Sequence, residues 1–433
     1  MTPAARLAAA IEVLGTIQSE RRPAADVLRE WGLTHRFAGS GDRVAIAGLV
    51  FDALRRRASS AFIMAEDTPR AILLGTLRSE RGLAVDSIAA LADGSKYAPE
   101  PLRPHERIRL QEADLTTAPA WVAGDYPEWL DPYFMRAFGE ARVEEGAELA
   151  SRAPLDLRVN LIKGERDTAS AGLSDVHLEL TRWSPWGLRI RLSTERKSPP
   201  IHAEAAFVKG LIEVQDEGSQ LAALLSDAKP GEQVVDLCAG AGGKTLALAA
   251  MMQNKGQIFA TDNDKRRLAP IHERLKRSGA RNVQVRPPKS IGSEIADLEK
   301  RVDLVFIDAP CTGTGVWRRN PDAKWRIRPG ALEQRRKEQI DVLDRAVPLL
   351  KPGGRIVYVT CSVLVEENNL QVRAFLSRHA GFLIRPPHEV ARTLGERAFM
   401  FSKAARLSEE GILMTPRTTA TDGFFVSVLW RAG

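Results

Sequence analysis

Residues 234–245, Val-Val-Asp-Leu-Cys-Ala-Gly-Ala-Gly-Gly-Lys-Thr, restrict the fold more than any other part of this chain. A short apolar run ends in Asp236. A turn made of Cys238, Ala239, Gly240, Ala241, Gly242 and Gly243 follows, and an alanine- and leucine-rich helix starts at Lys244. The first strand–helix turn of a parallel α/β sheet takes this form when it holds a nucleotide-like ligand. Its glycines let the backbone approach the ligand closely, and the helix N-terminus offers free N–H donors.

The surrounding pattern agrees. From about residue 206, apolar and β-branched runs predict strands at 233–237, 257–261, 282–285, 303–307 and 355–359. Helical spacing predicts helices at 216–225, 244–252, 265–278, 332–350 and 366–378. Strands alternating with helices imply right-handed crossovers and a parallel sheet covered on both faces. Residues 411–414 and 423–429 predict a terminal hairpin added to that sheet. Residues 1–115 read as helical, with clear periodicity at 6–17, 42–57 and 71–77. The segment 116–205 is mixed, with a helix at 134–151, strands at 155–162 and 188–192, and a linker at Pro199-Pro200. On the first of these strands sits Arg158-Val159-Asn160; an arginine there is ordinarily a solvated or salt-bridged surface group. A chain of 433 residues that is 44% hydrophobic has room for two or three domains with real cores. The expected division is 1–118 (helical, docking), 119–205 (small α+β, linking and RNA-binding) and 206–433 (catalytic).

The formal charge is +7 and the isoelectric point about 9.4, which favours a polyanionic partner. The excess is local. Residues 1–115 hold 16 Lys and Arg against 15 Asp and Glu, whereas residues 265–336 hold 18 against 8. Three cysteines, Cys238, Cys311 and Cys361, argue against a disulfide framework and for a reducing compartment. No apolar run reaches the length of a membrane span, and the first residues read as an amphipathic helix; a cytoplasmic monomer without membrane attachment is expected.

Three ligands compete for the glycine turn. A nucleoside triphosphate needs Gly-x4-Gly-Lys-Ser/Thr; Gly243-Lys244-Thr245 fits, but Cys238 occupies the first glycine position. The apolar strand ending in Asp308 resembles the second motif of such proteins. A dinucleotide needs Gly-x-Gly-x-x-Gly, and Thr245 takes the third glycine. S-adenosyl-L-methionine needs close backbone approach, an acid near its amino group and an acid beyond the second strand for its ribose. Asp236 suits the former and Asp262 the latter, unless Asp262 simply caps the next helix.

Cys311 follows the fourth predicted strand, in Asp308-Ala309-Pro310-Cys311-Thr312-Gly313-Thr314-Gly315, and Cys361 follows the fifth, in Thr360-Cys361-Ser362. An open parallel sheet brings both to the carboxyl edge where the cofactor sits. They lack Cys-x-x-Cys spacing and histidine neighbours, so no metal is expected. A thiol beside a methyl donor suits methylation of an unactivated ring carbon. Pyrimidine C5 is a poor nucleophile, and a thiolate adding at C6 makes C5 enamine-like. Asp308 is placed to steady charge at N3 and the exocyclic N4. Either cysteine fits the attack.

Residues 206–430 resemble the RNA cytosine-5 methyltransferase family, the Nop2/Sun group. The matching residues are 236–245, Thr261-Asp262 with Arg267, 308–315 and Tyr358–Ser362 followed by Glu366-Glu367-Asn368, together with 214–219 and 422–425. The resemblance implies a Rossmann-like S-adenosylmethionine-dependent methyltransferase domain. Its cofactor site would comprise Cys238, Ala239, Gly240, Ala241, Gly242, Gly243, Lys244, Asp262, Arg267 and Asp308. It also implies that Cys361 attacks and Cys311 promotes release. Residues 1–120 resemble the NusB-like helical domain of the ribosomal small-subunit methyltransferase B group, and Arg158-x-Asn160 matches the small subdomain before the catalytic domain. Two departures are present. The family's Ala-Pro-Gly-Gly-Lys is Gly240-Ala241-Gly242-Gly243-Lys244, and the acid that contacts adenine after the third strand is replaced by Arg286-Pro287-Pro288-Lys289-Ser290. There Ser290 or a backbone N–H is the expected substitute.

The expected function is C5 methylation of an RNA cytosine, with 16S ribosomal RNA or a pre-ribosomal particle as substrate. The alternatives are a methyltransferase on tRNA or another RNA, a P-loop-like NTPase, and an RNA-binding module with an inactive methyltransferase fold. RNA is expected to meet the basic stretch 317–326, whose tryptophans and arginines (Trp317, Arg318, Arg319, Trp325 and Arg326) suit stacking on splayed bases and phosphate contact.

Overall fold

The computed structural model describes residues 1–173, 176–192, 199–288 and 294–432. It divides into two compact units. One holds Met1–Arg152 together with Trp317–Ile327; the other is built from Ala153–Leu192, Ser198–Val316 and Arg328–Gly433. This differs from three consecutive segments. Residues 119–152 go with the helical unit, and the small sheet goes with the catalytic one.

The helical unit starts its elements as the sequence dictates. Thr2 and Thr68 each stand before a proline and accept an N–H of the first turn, from Ala5 and Ala71. The predicted helix at 42–57 is two helices, Ser40–Arg55 and Arg57–Met64. That at 134–151 is also two, Asp131–Phe138 and Arg142–Leu149, parted at Gly139 with φ 62°. Apolar faces of Pro3–Glu20, Ser40–Arg55 and Pro69–Ser79 bury Leu7, Val13, Leu14, Ile46, Val50 and Ile72 in one core. Buried Asp52 accepts from Arg55 at 3.3 Å, Arg81 at 2.7 Å and Arg152 at 2.8 Å, which ties in the end of the 119–152 segment.

The segment Trp317–Ile327 packs with this unit, and the tryptophans and the lysine in it are buried or half-buried rather than free to meet RNA, although Asn320 and Arg326 are exposed. Trp317 and Arg318 are buried, and Trp317 stacks on Phe134 at 5.8 Å. Lys324 is fully buried and donates to the carbonyls of Arg55 at 2.8 Å and Asp125 at 2.6 Å. Trp325 Nε1 donates to Leu54 O at 2.6 Å.

The catalytic unit carries two sheets. Strands β1 (Leu155–Val159), β2 (Glu179–Leu180), β3 (Gly187–Ile190) and β4 (Ile212–Val214) form a small antiparallel sheet ordered β2-β3-β1-β4. The large sheet contains β5 (Gln233–Asp236), β6 (Gln257–Ala260), β7 (Val283–Val285), β8 (Val302–Asp308), β9 (Leu350–Thr360), β10 (Phe382–Ile384), β11 (Arg406–Leu407), β12 (Ile412–Met414) and β13 (Phe424–Arg431). Its order is β11-β12-β13-β9-β8-β5-β6-β7, with β10 on β13. Strands β5 to β9 are parallel, and β13 returns antiparallel between β9 and β12. The predicted hairpin is therefore present as β12–β13; β4 and β10, at three residues each, escaped the sequence pattern. The predicted helix 265–278 is broken at Pro270 into Lys265–Leu268 and Ile271–Ser278. Strand order reverses at β5, so the glycine turn leaves at the topological switch point of the sheet. Among the described residues no helix is long and apolar enough to cross a membrane.

Burial lowers the Lys324 pKa to about 7, with Asp125 opposing. Between that value and its unfolded value the unfolded chain holds a proton that the folded one lacks, so this group's contribution makes stability rise with pH over that window. We predict that Lys324→Met removes this rise. By leaving two carbonyls without a donor, it should also cost about 2–4 kcal/mol at neutral pH. Denaturant unfolding at pH 7 and 9 tests both; equal stability of variant and wild type at both values would overturn the prediction.

Candidate active site

Strand β5 delivers Asp236, 1% exposed, to the carboxyl edge. Thr245 donates its hydroxyl to Asp236 Oδ2 at 2.7 Å, while Oδ1 is buried without a hydrogen-bonding partner. Burial pushes the Asp236 pKa up to about 7; the Thr245 bond opposes this and the nearby Asp308 charge adds to it.

The turn after β5 depends on glycine. Gly240 and Gly242 have φ of 50° and 84°, and a Cβ on Gly242 would lie 2.5 Å from Ile271. Two arginines hold the turn's carbonyls: Arg274 donates to Ala241 O at 2.9 Å, and Arg158 to Gly243 O at 3.0 Å. Arg158 is 2% exposed, not a surface group. Burial lowers its pKa to about 10 against the pull of Glu213. Its neighbour Asn160 is also buried and donates to Gly210 O at 2.9 Å and Ser278 O at 2.8 Å.

Asp262 follows β6 and accepts Gly240 N–H at 2.9 Å. The capping role falls to Asp264, whose carboxylate accepts Arg266 N–H at 2.8 Å. Arg267 is half-exposed and lies 3.9 Å from Asp262. Cys238 packs at the edge of the core, where burial raises its pKa well above the usual thiol value. Arg286 sits over the Phe259 ring at 4.3 Å and pairs with Asp297; Lys289 and Ser290, the region of the expected adenine contact, lie outside the described residues.

Lys244 turns toward β8. Its Nζ donates to Asp308 Oδ2 at 2.7 Å and stands over the Phe424 ring at 5.1 Å. Burial disfavours its charge, yet Asp308 outweighs burial and the pKa is raised. A P-loop aims its Lys at phosphates and its Thr at magnesium. Here both side chains are engaged by strand-end carboxylates, Asp308 and Asp236, which argues against the NTP reading.

The two thiols meet. Cys311, beyond β8, and Cys361, directly after β9, are half-buried with sulfurs 3.3 Å apart. The contact with Cys361, followed by burial, raises the Cys311 pKa well above the usual value, so Cys311 holds its proton. The loops carrying them are cross-tied. Buried Glu367 accepts Thr312 N–H at 2.8 Å and the Thr312 hydroxyl. Gln339 donates to Pro310 O at 2.9 Å and to Glu367 at 3.1 Å. Gly315 N–H donates to Cys361 O at 2.9 Å, and Gly423 N–H to Gly315 O at 2.8 Å. A Cβ on Gly315 would lie 2.1 Å from Gly423 O, so two backbones cross there. Sequence reasoning missed the roles of Glu367, Gln339, Arg274 and Arg158. Glu367 had a signal in its place just after Thr-Cys-Ser; Gln339, in mid-helix, had none.

Residues 223–430 match the family model for the 16S rRNA methyltransferase RsmB/F. The catalytic domain belongs to this family. The chain is 35% identical over 255 residues to "Ribosomal RNA small subunit methyltransferase B" of Shigella sonnei. That match covers 59% of this chain and 58% of the relative's own length. Among solved structures, the protein PH0851 has a TM-score of 0.72 at 25% identity, covering 99% of each chain. A methyltransferase homologue from Pyrococcus horikoshii has a TM-score of 0.58 at 26% identity, over 72% of this chain and 97% of its own.

The cofactor of this RsmB/F domain is S-adenosyl-L-methionine. The residues present fit it. Asp236 Oδ1 is a buried acceptor in want of a donor, Asp262 stands at the second strand end, and Arg158 and Arg274 occupy the carbonyls of the turn. Burial keeps the Asp236 pKa up at about 7 even with the Lys244 charge nearby. A cationic cofactor held at Asp236 would favour its ionised form, and Asp236 would then give up its proton on binding below that pH. We predict that S-adenosylmethionine affinity, measured by calorimetry, weakens up to about tenfold per pH unit as pH falls below 7. Asp236→Asn should flatten the profile. A wild-type affinity independent of pH between 5.5 and 8 would count against Asp236 as the group that senses the cofactor's charge.

Proposed function

We propose that the protein methylates C5 of a cytosine in RNA, with small-subunit ribosomal RNA as the substrate. The observation that carries this is the pair of thiols 3.3 Å apart at the ends of two neighbouring parallel strands, beside the Lys244–Asp308 pair. The family match and the ribosomal RNA named for its relatives support the choice of substrate. The local excess of basic residues supports a polyanionic one.

Bound cofactor supplies an electrophilic methyl group. The Cys361 thiolate adds to C6, the 5,6 double bond opens, and its electron pair makes C5 nucleophilic. Asp308, held by Lys244, steadies the pyrimidine at N3 and N4. Once Cys361 is bonded to carbon, the sulfur contact that chiefly raises the Cys311 pKa is gone. The Cys311 thiol then gives its own proton to solvent more readily, and the thiolate so formed takes the C5 proton. The electron pair left at C5 re-forms the double bond and expels Cys361. The cytosine must be single-stranded or extruded to reach this edge. The near-neutral helical unit we read as a docking module for the RNA or its particle.

Purified protein incubated with labelled S-adenosylmethionine and small-subunit RNA or particles, with bisulfite mapping of the product, tests this. Cys361→Ala should lose at least about 10³-fold in methyl transfer. Cys311→Ala should accumulate a denaturation-resistant RNA–protein adduct. Full activity in Cys361→Ala would refute the nucleophile, and methylation confined to tRNA would refute the substrate.

A further inference from the structure

Trp317, Arg318, Lys324 and Trp325 belong to the interior or hydrogen bonding of the helical unit, so much of the densest basic run is turned inward and exposed cations elsewhere gain weight. Within the catalytic unit a concavity of about 810 Å³ lies between the helix Ile271–Ser278 on one side and Lys163 with the segment His202–Lys209 on the other. Exposed Lys163, Lys209 and Lys276 rim it, with Glu273 as the acid among them. Arg277 pairs with Glu213 at 2.5 Å, a carboxylate it shares with Arg274, and lies over the Phe207 ring at 4.0 Å. Lys163 donates to Lys209 O at 2.9 Å, an uncharged acceptor. Among the described residues Lys209 and Lys276 make no ion pair. The rim therefore keeps an excess of uncompensated positive charge.

The surface is built. Asn160 bonds the carbonyls of both Gly210 and Ser278, which clamps the loop before β4 to the end of the helix. Gly210 has φ 74°, and a Cβ there would lie 2.0 Å from Arg277 O. The clamp presents Val208, 62% exposed, and His202, whose ring meets Phe207 edge-on at 4.6 Å. Cations around an apolar and imidazole platform match a phosphodiester backbone with a base laid against it.

We propose that this concavity is a second RNA contact, which holds single-stranded substrate by its backbone outside the catalytic cleft. The inference rests on the reading of the protein as an RNA methyltransferase.

The test uses the full chain with Lys163→Glu, Lys209→Glu and Lys276→Glu combined, and the corresponding triple Gln variant in case the charge reversal impairs folding. Affinity for a labelled single-stranded oligoribonucleotide is measured by fluorescence anisotropy across salt concentrations. Expected are a Kd weakened at least about tenfold, a salt slope smaller by about 2 and a raised KM for RNA. Calorimetric S-adenosylmethionine affinity and Tm should be unchanged. Wild-type RNA affinity and salt slope in both variants, with wild-type methylation intact, overturn this contact alone. The same result with lost binding of an acidic polypeptide overturns it in favour of a protein partner. A wild-type protein with no RNA affinity overturns both this contact and the functional reading.

Discussion

The parallel register of β8 against β9, with Asp308 opposite Val359, is the constraint on which the active edge depends. Each strand ends and releases a loop with one cysteine. Because the strands are neighbours, the two loops start side by side. A slip of one residue in a strand moves its end by about 3.3 Å. That equals the whole separation of the sulfurs, so the thiols would part. This explains the density of cross-ties: Ala309 N–H on Val359 O at 2.8 Å, Gly315 N–H on Cys361 O, and Glu367 with Gln339 around Thr312 and Pro310. The chemistry tolerates little freedom here, and the sheet ladder alone does not fix loops.

The second requirement is polarity of the cofactor turn. A turn offers both N–H donors and carbonyl acceptors, and a ligand bound through donors is helped when the carbonyls are already engaged. Arg158 and Arg274 take Gly243 O and Ala241 O. Burying a guanidinium is costly, and Glu213 offsets it by lying near Arg158 and accepting from Arg274 and Arg277. The small sheet thus supports the glycine turn directly, since Arg158 is a β1 residue.

The large sheet was legible because its strands and helices have different periods, and because the glycine turn announces where the strand order reverses. The cysteine pair was legible from topology: two residues at neighbouring parallel strand ends must be close. Arg158 was not. In sequence it is one arginine among many, and its burial follows from β1 lying beside the turn, which no local pattern encodes. The breaks at Arg56, Gly139 and Pro270 were visible in part. Proline and glycine marked two of them, but the periodicity of the flanking helices ran through all three.

Charge is the property that sequence misrepresents most. Residues 265–336 contain 18 basic side chains, but a count ignores what each one faces. Arg318 and Lys324 are buried in the helical unit, and Arg274, Arg277 and Arg286 are paired with Glu213 or Asp297. A paired or buried cation contributes little to the field outside, whereas an exposed one without an acid acts at full strength within a Debye length. Lys265, Arg266, Lys276, Arg281, Lys300, Arg301 and Arg328 are exposed and make no ion pair among the described residues, and folding adds Lys163 and Lys209 from a region the count had left out. The attraction for a polyanion is set by that remainder. Folding therefore takes much of it out of the densest basic run in the sequence and leaves it on exposed side chains drawn from several separate segments.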